Sequence, residues 1–109
     1  MRGRYTLPAS ATKGERVVRA IILYDSEPDP DRYRQHVDEF GSKVSCSAFR
    51  HGKIFGSPFG EPKFRYYAEF EWKDMDAFKE AASSEEFAAS GKDAMAMGIP
   101  FIVQFAEVE

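Results

Sequence analysis

Cysteine is nearly missing. Cys46 stands alone among 109 residues, which excludes an internal disulfide and the paired-cysteine signature of a zinc site, and is consistent with a reducing compartment. Long apolar runs are missing too. No stretch approaches the roughly 20 consecutive apolar residues that span a bilayer. Arg2 and Arg4 in the opening residues are followed by no apolar segment fit for a signal-peptide core, so the expected location is the cytoplasm. Positive charge is not in excess: 15 Lys and Arg face 18 Asp and Glu, for a net charge of -3, and neither nucleic acid nor a membrane is an expected partner. Histidine occurs twice, as His36 and His51, with no third ligand at metal spacing, so no metal is expected. The glycine-containing loop at 56–60 lacks the lysine and the following helix of a phosphate cradle. No cofactor is expected.

What is plentiful is rings. Ten Phe, five Tyr and one Trp make 15% of the chain, an ample supply for a core or an interface in one domain of this length. A small domain leaves much of its surface exposed, so association with a partner is a natural way to cover more of it.

Residues 1–15 carry no strand or helix period and read as a tail, leaving 16–109 as the domain. Val17 to Tyr24 is a β-branched, nearly continuous apolar run, the mark of a central strand. Asp29, Pro30 and Asp31 then open a helix, because Asp accepts a free backbone N–H and Pro suits the first turn. Tyr33, Val37 and Phe40 share one face of it, His36 sits at the border of that stripe, and Gly41 offers a stop. A second strand is expected over 44–51 and a loop over 52–62. Phe64, Tyr66, Ala68, Phe70 and Trp72 alternate with polar residues and give the clearest strand. Asp74 caps one helix, Ser83 with Glu86 forms a capping box for another, and Pro100 opens a final strand over Phe101 to Val108.

Strand, helix, strand, strand, helices, strand is the α+β order of a ferredoxin-like split βαβ sandwich, with a four-stranded antiparallel sheet and both helical segments on one face. The other face is left bare. The first and last strands are apolar on both alternations, so a second sheet stacked on that face would bury what the helices cannot reach. A homodimer is the expected form.

Candidate chemistry centres on His36, whose imidazole could move a proton near neutral pH. Tyr33 and Phe40 on the helix stripe, and Tyr24 and Tyr66 on strands, are candidate pocket residues, a tyrosine hydroxyl being able to orient a polar ligand atom or hold a developing oxyanion. Arg50, near Arg65, could clamp a carboxylate, against cross-strand ion pairing with Glu69 and Glu71. His51 reads as a surface residue, and Cys46 as a small buried hydrophobe.

Pro28, Asp29, Pro30 and Asp31 after strand one, the 56–60 loop, the strand into Trp72, Ser84, Glu85 and Glu86 with Asp93 nine residues after Ser84, and the closing strand together resemble the EthD-like family, from about Val17 to Glu109. The resemblance implies a dimeric α/β barrel in which two ferredoxin-like protomers stack their sheets, each keeping a pocket between sheet and helices. It also implies a small apolar organic ligand. The activity it implies is either a cofactor-free oxidoreductase of monooxygenase type or an accessory component of oxidative catabolism, such as alkyl ether degradation; the alternative is a non-catalytic ligand-binding or structural dimer module. One departure stands out. Many relatives carry a histidine two turns after the aromatic residue of helix one, where this chain has Gly41; His36, three residues after Tyr33, occupies a position where some relatives also have histidine. Asp93 matches a family position, but an acid within a helical segment reads as a cap or surface group.

Overall fold

The computed structural model describes residues 16–109, so the expected tail lies outside the described residues. The elements run β1 (Val17–Tyr24), α1 (Pro30–Glu39), a short 3-10 turn (Gly41–Lys43), β2 (Ala48–Lys53), β3 (Tyr66–Trp72), α2 (Met75–Ala82), α3 (Glu85–Ala96) and β4 (Phe101–Val108). The sheet order is β2-β3-β1-β4 with every pairing antiparallel. This is the ferredoxin-like α+β arrangement expected from the sequence.

Period 2 divides the sheet. Val18, Ala20, Ile22 and Tyr24 of β1 are buried with Ala68, Phe70 and Trp72 of β3, forming the core under the helices. Trp72 is sealed within it, its indole Nε1 donating to the Ser45 carbonyl at 2.7 Å. Burying a ring of roughly 200 Å2 is worth about 5 kcal/mol at about 25 cal/mol per Å2. The register puts Arg19, Ile21 and Leu23 of β1, Tyr67, Glu69 and Glu71 of β3, and Ile102 of β4 on the opposite face.

Several local expectations shift. The second strand begins at Ala48, not Val44: the Val44 N–H donates to Gly41 in the 3-10 turn, and Ser47 N–H makes the first bond toward β3, at Glu71. Gly52 and Lys53 extend β2 into the expected loop, which Ile54 N–H then closes by donating to Arg65 at 3.0 Å. The third helix is capped by Ser84 rather than Ser83. Ser83 has helical backbone at the end of α2 and its hydroxyl donates to Lys79, whereas the extended Ser84 accepts from the Phe87 N–H at 3.1 Å. On α1 the buried pair is Tyr33 and His36, with Val37 and Phe40 only partly covered. His36 is therefore central to the packed face, not at its border.

Candidate functional site

A cavity of about 280 Å3 lies between the sheet and helices α1 and α3. The sequence makes it by economy of side chain. Ala20 and Ala68 sit on the two central strands, and Ser90, Gly91 and Ala94 form the facing wall of α3, so small groups oppose small groups where a packed core would interleave large ones. Rings close the ends: Tyr24, Tyr33 and Phe101 at one, Phe70 and Phe87 at another. The helices cover β4 only in part, Phe78 of α2 meeting Phe105 with ring centroids 4.9 Å apart, so Val103 and Phe105, on the helix side of that edge strand, remain 42% and 56% exposed and border the opening.

His36 enters this cavity from α1 and is 4% exposed. Its Nδ1 lies 2.8 Å from Asp93 Oδ2, and Arg32, one turn earlier on α1, binds the same carboxylate with two nitrogens at 3.0 and 2.8 Å. Arg32 foremost, and His36 after it, hold the Asp93 carboxyl below the usual carboxylate range. An ionised carboxylate only accepts, so Nδ1 carries the proton donated to it. That fixes the ring and leaves Nε2 as the group free to take a proton or donate one. Asp93 is thus neither cap nor surface acid: its side chain is 13% exposed and it orients the histidine.

Of the other candidates, Tyr24 and Tyr33 line the cavity. The Tyr33 hydroxyl is sealed and among the described residues has no hydrogen-bond partner of good geometry, and burial foremost, with the neighbouring Tyr24 phenol, pushes its pKa far up. Phe40 does not line the cavity; it stacks on the outer side of His36, ring centroids 6.3 Å apart. Tyr66 lies in a different place, an open groove of about 420 Å3 on the far side of Tyr33, where its phenol O–H and His51 Nδ1 share a hydrogen bond of 2.7 Å. Arg50 is on the opposite face of the sheet, because β2 places it one residue out of step with Phe49 and His51. There it pairs with Glu69 and with Glu71, which also holds Arg19 at 3.0 Å, so the cross-strand ion pairs expected as the alternative to a carboxylate clamp are the ones that form. Among the described residues no group of three or more His, Cys, Asp or Glu side chains is placed to hold a metal ion, and no helix is long and apolar enough to cross a membrane.

Sequence reasoning missed Asp93, Arg32 and Ser90 as parts of one site. The i, i+4 spacing of Arg32 and His36 was a usable signal that both face one neighbour, but the acid they share is 57 residues further along than His36.

The fold and this cavity define the class: a ferredoxin-like α+β domain with an apolar pocket between its sheet and helices. No family model matches the chain, and no curated protein does. Among solved structures, an EthD family protein from Bacillus halodurans C-125 is 27% identical, covers 85% of this chain and 99% of its own, and superposes with a TM-score of 0.69. A dimeric ferredoxin-like protein of unknown function from Thermobifida fusca YX shares the fold at 12% identity, 94% and 100% coverage and TM-score 0.63. So does SnoaB, a cofactor-independent oxygenase from Streptomyces nogalater, at 17% identity, 83% and 90% coverage and TM-score 0.55. The similarity to that EthD family protein runs through most of the chain's length.

Proposed function

We propose that this protein is a homodimer that binds a small, mainly apolar organic molecule in the cavity under its helices and moves a proton on it with His36. The carrying observation is a buried imidazole, fixed by Asp93 at 2.8 Å, facing an apolar cavity of about 280 Å3. A neutral Nε2 in such a place is a general base for an activated C–H, and the carbon pair left behind is delocalised onto an adjacent oxygen. That step calls on no cofactor, and it is common to isomerisation and to oxidation of an activated carbon. Its compatibility with the fold is supported by a cofactor-independent oxygenase built on the same frame.

Dimerisation is supported by the dimeric ferredoxin-like neighbour and by the open face of the sheet. There Ile21, Leu23, Tyr67 and Ile102 surround the ladder of Arg19, Glu71, Arg50 and Glu69. Stacking two such faces would form the dimeric α/β barrel and leave each cavity on the outer, helix-covered side. Sedimentation at micromolar concentration is expected to give a dimer; a stable monomer would remove this part of the reading.

The proton-transfer part is tested by deuterium uptake in D2O at the carbon next to the carbonyl of small ketones such as 1-tetralone. Uptake is expected with the wild type and is expected to fall by about 10²–10⁴-fold in His36→Ala. Uptake unchanged by that substitution would discard His36 as the base.

A further inference from the structure

Serine hydroxyls in and beside the helices of this protein mostly turn inward on the backbone. Ser42 donates to the Asp38 carbonyl at 3.1 Å, Ser83 to Lys79 at 2.7 Å and Ser84 to Ala81 at 2.6 Å, the usual fate of a hydroxyl beside a free carbonyl. Ser90 differs. It lies in the interior of α3, is 6% exposed and lines the cavity, and among the described residues no group hydrogen-bonds its hydroxyl. Nor is its oxygen sealed, as that of Tyr33 is. A polar group so deeply buried ordinarily has a partner, and the space in front of this one is the cavity.

Its position relative to the histidine follows from the helix. Ser90 and Asp93 are at i and i+3 on α3, one turn apart and on one face, and Asp93 holds His36. Among the described residues the cavity lining contains no Lys or Arg, and His36, Ser90, Tyr24 and Tyr33 are its only side chains with polar atoms. Gly91, beside Ser90, widens the wall. A Cβ there would meet nothing within 4 Å, so packing does not require the roughly 1 kcal/mol cost of a mid-helix glycine.

Resting on the reading of this cavity as a ligand site, we propose that Ser90 is the ligand's oxygen-binding residue, and that the site selects neutral molecules with an apolar body and one ketone- or phenol-type oxygen next to the acidic carbon. In the ketone case His36 Nε2 takes the proton from that carbon, the C–H electron pair moves into the carbon–oxygen unit, and the enolate oxygen accepts a hydrogen bond from Ser90 Oγ. Return of the proton from the imidazolium to carbon, or its exchange with water, restores both groups.

The test compares 1-tetralone with tetralin, which has the same fused rings with a CH2 in place of the carbonyl, by calorimetric titration of the full-length wild type and Ser90→Ala. Alanine is the better helix former, so the variant is expected to keep its fold. The wild type is expected to prefer tetralone by about tenfold, the scale of one net hydrogen bond. Ser90→Ala is expected to abolish that preference by weakening tetralone alone and to slow deuterium uptake. If both proteins bind tetralin but Ser90→Ala keeps the preference for the ketone, the assignment of Ser90 is overturned while the cavity reading survives. If the wild type binds neither molecule, the cavity reading fails and this inference with it.

Discussion

Tyr33 divides two regions that each hold one histidine. On its inner side His36, with ring centroids 5.3 Å apart, is buried and held by an ionised carboxylate. On its outer side His51, at 5.0 Å, is exposed and bonded to the phenol of Tyr66. Burial and then the charge of His36 lower the His51 pKa. The same residue type thus stands against the same ring in two settings, and the difference shows what makes one of them a chemical tool. His36 has a proton on one nitrogen fixed by Asp93, a second nitrogen with no hydrogen-bond partner among the described residues, and an apolar cavity beside it; the His51 ring lies on an open groove. A ligand lodged in the cavity lies against the oriented imidazole of His36, while one beside His51 lies on an open surface.

The contrast breaks most sharply at Asp93. Replacing it by Ala leaves Arg32 and His36 without their shared partner, and unfolding in urea is expected to show a loss of about 2 kcal/mol, below the full cost of a wholly buried pair because Arg32 is partly exposed. Ketone exchange should fall with it, since the ring is no longer oriented. The milder Asp93→Asn gives a pH signature. The depressed pKa of Asp93 supplies stability above the unfolded value of about 3.9, lost as pH falls through the lower folded value. Thermal melts across that acid range should show the loss in the wild type and a shallower one in the variant.

A smaller effect of opposite sign is expected at the dividing wall. Tyr33→Phe removes a sealed hydroxyl that among the described residues has no partner of good geometry, and a gain of about 1 kcal/mol in thermal or urea unfolding is the expected result. A loss of that size would show that the hydroxyl is satisfied in solution. Smallest of all, His51→Ala should change stability by less than about 0.5 kcal/mol near neutral pH and leave ketone exchange unchanged, because its ring is exposed. Its lowered pKa makes the His51 contribution vanish as pH drops from about 6.5 through the lower folded value, so a wild-type excess in acid lability over His51→Ala should appear there.

Much of this fold was legible because local rules and tertiary packing agree. The apolar run of β1, the alternation into Trp72, the Asp29 and Asp74 caps and Pro100 before β4 each mark an element that forms. Strand β2 was misplaced because Val44 earns its burial after a 3-10 turn rather than in a strand, a distinction invisible to an apolar pattern. The site was legible only residue by residue. His36, Tyr24 and Tyr33 were singled out and do line one cavity, but period 2 carries Arg50 to the other face, and Tyr66 belongs to the outer groove. What no local pattern carried is the approach of α3 to α1, which brings Asp93 to His36 and puts Ser90 on the cavity wall.

The central claim, that the inner histidine meets the ligand and the outer one does not, is tested most directly by nitrogen NMR of 15N-histidine-labelled protein titrated with 1-tetralone. The account predicts that the Nε2 resonance of His36 moves in step with binding while both resonances of His51 stay within their unliganded positions. Movement of His51 alone, or of neither ring while calorimetry reports binding, would contradict it.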